Sequence, residues 1–227
     1  MTSSRAIELL YVDDHVVVAN KPSGLLVHRG WANDDDVAMF RVRDALGEHV
    51  HPIHRLDRGT SGALVLARSR HVAATLMRAL EHGEVKKSYL ALVRGTPPEA
   101  GIIDHPVPKS EDGERVPAVT HFRRLARSSV DRCSLVLAEP LTGRLHQIRR
   151  HLKHLGHPLI GDVNYGSGEL NRHYRAAYGL HRLALHASRV ELTHPSSGGR
   201  LDVTAPVPDD LDNALDQLGL RCAVPIY

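Results

Sequence analysis

The sequence predicts an α+β fold, a mixed and largely antiparallel sheet flanked by helices. Three observations carry that prediction. Short apolar runs bounded by Gly, Pro and Asp recur along the chain, and fewer segments show helical spacing. The two kinds are interspersed without the regular βαβ alternation that a parallel sheet needs. Finally, 227 residues with 42% hydrophobic and 24% charged side chains suffice for one substantial core, or one core crossed by a cleft, and exclude a disordered chain.

Residues 7–20 form two short strands joined by an Asp13-Asp14-His15 turn, and Lys21-Pro22-Ser23-Gly24 breaks away as a loop. A short helix fits 36–46. His51 to Gly62, punctuated by Pro52, Gly59 and Gly62, is a loop leading into an apolar strand over 63–67. Ser69 caps a helix running to His82, and Gly83 stops it. A strand over 85–94 ends at Gly95-Thr96-Pro97-Pro98. Residues 97–117 hold five prolines and a charged tip, Glu111 to Arg115, and predict a surface excursion with little regular structure. Strands follow at 118–126 and 134–138. Thr142-Gly143 then turns into a helix over 145–155, with Leu145, Ile148, Leu152 and Leu155 in one stripe and Arg149 bordering the buried side. Strands at 183–192 and 200–204 and an amphipathic helix near 209–218 complete the chain. No linker divides it, so one domain over 1–227 is expected.

Several function classes fall away. No run approaches the ~18 apolar residues of a membrane helix. Asp13 and Asp14 interrupt the N-terminal apolar stretch, which argues against export and for the cytoplasm. Cys133 and Cys222 make neither a disulfide framework nor a zinc site. The formal charge is only +3, but it is unevenly spread. Acid gathers at Asp34–Asp36 and at Asp209, Asp210 and Asp212. Residues 144–154 collect Arg144, Arg149, Arg150 and Lys153 with three histidines. Such a basic face is either a polyanion footprint or a solvated helix surface.

Two segments carry chemistry. In His54-Arg55-Leu56-Asp57-Arg58-Gly59-Thr60-Ser61-Gly62 one carboxylate stands among guanidiniums that favour its ionised form, as a nucleophile or base needs. The plainer reading is that Asp57 caps the turn or pairs with Arg55. In Gly143 to Arg150, basic and amide donors crowd the start of a helix; they can bind phosphate, pair with a buried carboxylate, or simply decorate an amphipathic helix. A metal site is not expected: of His146, His151, His154 and His157, only His151 and His154 have clean helical spacing, and no carboxylate stands beside them. No G-x-S-x-G elbow, P-loop or Rossmann glycine pattern occurs.

These motifs, in this order, resemble the RluA-type pseudouridine synthase family. His54–Gly62 resembles its catalytic loop, Lys86-Lys87-Ser88-Tyr89-Leu90-Ala91 its K-x-Y-x-A strand, and Gly143 to Gly166 its third signature. Asn20 to Gly24 resembles its opening loop, and Leu185-His186-Ala187 also fits. The resemblance spans residues 7–205. Within the family the likeness is strongest to a branch acting on tRNA, through Leu26 to Arg29 with Trp31, Pro117 to His121, Arg149 to Leu152, and Leu183 to Pro195. Tyr165 follows the general family pattern instead. About six residues precede the first strand, so no N-terminal S4 domain is expected.

The resemblance implies a pseudouridine synthase fold with a central RNA-binding cleft. Asp57 would be the catalytic aspartate at the ribose and Arg149 its ionic partner. Tyr89 would lie against the uracil and assist the late proton transfer from C5. Arg55 would enter the space left by the extruded nucleotide. Lys21, Arg58, Arg144, His146, Gln147, Arg150 and Lys153 would join it in binding RNA. The reaction cuts N1–C1′, turns the uracil and rejoins it through C5, an isomerisation needing no cofactor and no metal. A carboxylate can attack C1′ or take the C2′ proton, and either route needs an anion. Extruding a stacked base costs a few kcal/mol, and phosphate contacts make binding salt-sensitive. With two Phe and one Trp in the chain, recognition should rest on RNA shape and phosphates. The partner implied is RNA, tRNA before ribosomal RNA, met by a monomer; a non-catalytic RNA-binding protein is the remaining alternative.

Overall fold

In the computed structural model, residues 6–29, 35–110 and 113–225 are described; Trp31, Asp34, Glu111 and Asp112 lie outside the described residues. The chain begins with β1 (Glu8–Val12), β2 (Val16–Lys21), α1 (Ala38–Leu46), β3 (His51–Pro52), β4 (Ser61–Ala67) and α2 (Arg70–Glu81). It continues with β5 (Lys86–Arg94), β6 (Ala100–Asp104), β7 (Val107–Pro108), β8 (Arg115–Val116), β9 (Val119–Arg127) and β10 (Cys133–Pro140). Then come α3 (Gln147–His154), α4 (Gly168–Tyr178), β11 (Leu185–Thr193), β12 (Arg200–Thr204) and α5 (Asp209–Gln217). No helix among the described residues is long and apolar enough to cross a membrane.

These elements form two compact units, each with its own apolar core. One comprises residues 1–87 and 187–206, the other 88–186 and 207–227, so the chain passes between them three times. In the first unit the strand order is β1-β2-β4-β11, with β3 beside β4 and β12 beside β11. Every residue of β4 is buried. Val65 pairs with Val18 of β2, and both pack with Val72, Ala73 and Leu76 of α2. Ser69 caps α2, its side chain accepting the Val72 N–H at 3.2 Å. Gly62 sits at φ +107°, and a Cβ there would lie 2.2 Å from the Ala187 carbonyl oxygen. Only glycine admits both that backbone conformation and that approach of β11.

In the second unit the order is β5-β10-β9-β6, and β7 pairs separately with β8. Leu90, Leu92, Leu135 and Leu137 of the sheet pack with Leu211 and Leu215 of α5. The excursion expected over 97–117 holds more structure than predicted. Its prolines bound β6 instead of interrupting it, and β6 takes the sheet edge, where fewer ladder donors are needed. α3 begins at Gln147, two residues later than the apolar stripe suggests, leaving Leu145 outside the helix. α4 was not predicted. Of its side chains only Tyr174 is buried, so it shows no apolar stripe; its ends are a Ser167 cap and a left-handed Gly179.

Candidate active site

Asp57 lies in the first unit, on the loop preceding β4. Buried Ile53 and Leu56 anchor this loop, leaving Asp57 half-buried and Arg55 and Arg58 exposed. The Thr60 N–H closes the turn onto the Asp57 carbonyl at 3.0 Å. Residues 21–25 clasp it. The Gly24 N–H donates to the Arg58 carbonyl at 2.8 Å, Arg58 Nε returns a bond to the Gly24 carbonyl at 2.9 Å, and Ser23 Oγ donates to the Gly59 carbonyl at 2.8 Å.

Lys21 completes the clasp. Its ammonium donates to the carbonyls of Pro22 (2.9 Å), Leu25 (2.6 Å) and Arg58 (3.3 Å). The side chain is fully buried, so the RNA contact expected of Lys21 does not fit: an ammonium with no accessible surface, already donating to carbonyls, meets no phosphate. It organises the loop instead.

Beside Asp57 in sequence, His54 Nε2 accepts the Val65 N–H at 3.1 Å. Burial first and the nearby Lys87 charge second push the imidazole down to about 3, against a hydrogen bond with the Arg55 backbone. His54 is therefore neutral at physiological pH. Burial likewise lowers Lys87 to about 8.

Tyr89 and Arg149 belong to the second unit. Tyr89 is buried in β5 opposite Ala138 of β10. Arg149 lies on the buried flank of α3, and its guanidinium forks onto Asp162, Nε to Oδ2 and Nη2 to Oδ1, both at 2.8 Å. Asp162 Oδ1 also accepts the N–H groups of Asn164 (2.9 Å) and Tyr165 (3.0 Å). Burial would raise this carboxyl, but Arg149 and the two amides outweigh it and hold it below the usual range. The fork thus fixes the plane of Arg149.

Tyr165 gathers several predicted residues. Its hydroxyl meets His146 Nδ1 at 3.0 Å and accepts Arg150 Nε at 2.8 Å. The guanidiniums of Arg149 and Arg150 and the Lys153 ammonium lie 5.0, 5.5 and 5.8 Å from its ring centre, within cation–π reach. His146 has φ 53°, the one non-glycine residue with positive φ among those described; its bond to Tyr165 helps to hold it there. Arg144 is exposed, with Nε 3.3 Å from the Pro117 carbonyl.

Gln147 departs from its expected RNA-binding role. It is buried; Oε1 accepts from Thr142 Oγ1 (2.7 Å) and the Arg144 N–H (3.0 Å). Nε2 donates to the Val119 carbonyl and Thr120 Oγ1, both at 3.0 Å. Both ends of the amide are thus spent, Nε2 fastening α3 to β9 and Oε1 holding the turn at Thr142 and Arg144. Asp162 and Tyr165 were absent from the predicted site, although both stand in the third signature. The available signal was an Asp in a glycine-flanked segment, Gly161 to Gly166, where Asp favours a turn that bonds its own backbone. Among the described residues no group of three or more His, Cys, Asp or Glu side chains could hold a metal ion.

The model of the RNA pseudouridylate synthase family matches residues 15–154. The chain belongs to that family. This synthase is 41% identical to the tRNA pseudouridine synthase C of Salmonella typhimurium over 240 residues, covering 96% of this chain and 92% of the relative. It is 39% identical to the tRNA pseudouridine synthase C of Pectobacterium carotovorum, matching along its whole length but spanning only 66% of that longer protein. Among solved structures, human RNA pseudouridylate synthase domain containing 4 superposes with a TM-score of 0.74 at 30% identity, covering 95% of this chain and 94% of its own. The synthase thus has the pseudouridine synthase fold, and the mixed, mostly antiparallel sheet with flanking helices is the expected one.

Proposed function

We propose that this synthase isomerises a uridine of tRNA, with Asp57 acting at the ribose, Arg149 keeping it anionic, and Tyr89 as the face on which the freed uracil turns. The observation that carries this reading is the 41% identity to a tRNA-modifying relative, sustained over nearly the whole of both chains. Attack on C1′ or removal of the C2′ proton by Asp57 frees the uracil with the N1–C1′ electron pair. Rotation brings C5 to C1′; the new bond forms as the Asp57–C1′ ester left by the first route breaks or, on the second route, as the proton returns to C2′, after which C5 gives up its proton and N1 regains one. Exposed Arg55, Arg58, Arg144 and Lys153, with half-buried Arg150 and His146, supply phosphate contacts. Asp57 lies in one unit and Tyr89 and Arg149 in the other, so the activity calls for both units, acting as one catalytic domain in a cytoplasmic monomer.

The test is tritium release from RNA carrying 5-tritiated uridine. Wild type should release it from tRNA, and Asp57→Asn should bind the same tRNA and release none. Release by Asp57→Asn at the wild-type rate overturns the assignment of Asp57. Release from ribosomal RNA alone overturns the tRNA substrate.

A further inference from the structure

Lys87 is half-buried near the start of β5. Tyr89 follows two residues later, so the two side chains leave the strand on the same face. Lys87 is close enough to His54, in the Asp57 loop, for its charge to oppose protonation of that ring. Yet the ring gives it no counter-charge: the imidazole is neutral, its Nε2 accepts the Val65 amide, and the Arg55 backbone engages it as well. Among the described residues no acceptor or carboxylate engages the ammonium, and burial alone acts on its proton affinity. A cation that has lost part of its hydration without gaining a partner is costly, and proteins ordinarily pair it or let it reach fully into solvent. An anion that arrives with the substrate and leaves with the product would remove that cost only during turnover.

We propose that Lys87 is a further catalytic cation of this synthase, meeting an anionic oxygen of the bound uridine nucleotide; this rests on the function proposed above. Two oxygens have the chemistry. One belongs to a backbone phosphate. The other is a uracil carbonyl oxygen, which becomes anionic when N1–C1′ breaks and the base leaves with the bonding pair. That charge returns to carbon when C5–C1′ forms. Lys87 neither gives nor takes a proton in either role; it stabilises charge where it develops.

Lys87→Met tests this, with Lys87→Gln as a second variant. Both are compared with wild type for RNA affinity, its salt dependence and the single-turnover rate on the same RNA. Denaturation midpoints at or above wild type are expected, because an unpartnered charge has been removed. If the oxygen belongs to uracil, the single-turnover rate falls about ten-fold or more while Kd stays within about two-fold. If it belongs to phosphate, Kd rises and the slope of log K against log salt weakens by about one, with the rate at saturation retained. A folded variant with Kd and rate both unchanged overturns the inference. So do midpoints far below wild type in both variants, which would make Lys87 a structural support. A wild type that makes no pseudouridine overturns the proposed function and this inference together; an active wild type indifferent to Lys87 overturns this one alone.

Discussion

The loop of Asp57 and the helix of Arg149 are fastened by different forces. The loop is clasped by hydrogen bonds that end on backbone carbonyls, given by Lys21, Ser23, Arg58 and the Gly24 amide. The guanidinium of α3 is fastened by a carboxylate, that of Asp162, with no exposed side-chain surface. Carbonyl oxygens do not titrate, so these hydrogen bonds, unlike the fork, need no ionised carboxylate as acceptor. The fork holds only while Asp162 is ionised. The carboxylate proposed for catalysis is thus set by backbone geometry, whereas the orientation of its proposed partner depends on the protonation of a third residue.

The largest effect should come from breaking the ionic side. Arg149→Met leaves Asp162 buried and unpaired, and urea denaturation should show a loss of about 3–5 kcal/mol along with lost activity. Breaking the clasp should cost less. Lys21→Met leaves the carbonyls of Pro22, Leu25 and Arg58 short of a donor, and a loss of about 2–3 kcal/mol is expected by the same measurement.

Acid should separate the two regions by pH window. His54, lowered from 6.5 to about 3, is protonated more readily in the unfolded chain. Its contribution is therefore complete above 6.5 and lost as pH falls from there toward 3, with a slope of up to about 1.4 kcal/mol per pH unit. Asp162, lowered from 3.8, contributes fully above that value and loses its contribution as pH falls below it. Urea midpoints measured against pH should lose the upper limb in His54→Gln, whose amide oxygen can still accept the Val65 N–H, and the lower limb in Asp162→Asn. The smallest effect belongs to Ser23→Ala, which removes one hydrogen bond from the clasp. About 1 kcal/mol is expected, with pseudouridine formation reduced only if the clasp positions Asp57.

Much of this architecture was legible because periodicity and capping are local. β4 declares itself as an apolar run, and α2 by the Ser69 cap and the Gly83 stop. Asp57 stood out because it is surrounded by arginines within four residues. α4 escaped because a helix burying one tyrosine has no stripe. The start of α3 was misplaced because nothing in the sequence shows that His146 turns left-handed; its bond partner, Tyr165, is nineteen residues away. Lys21 and Gln147 show the deeper difficulty. Residue type reveals a donor but not its direction. Lys21 donates to carbonyls one, four and thirty-seven residues on, and the Gln147 amide reaches back to residues 119 and 120. Only tertiary structure tells such a buried donor from one that faces RNA.

The threefold passage of the chain between the units bears on its synthesis. The first unit takes most of β11 and all of β12 from beyond residue 186, and the second draws Leu211 and Leu215 from beyond residue 206. On the ribosome neither core can close as a vectorial, N-terminal-first event, because each awaits segments translated long after most of it has emerged. For most of translation the nascent polypeptide therefore carries open strand edges and uncovered apolar surface, the features that expose a chain to aggregation.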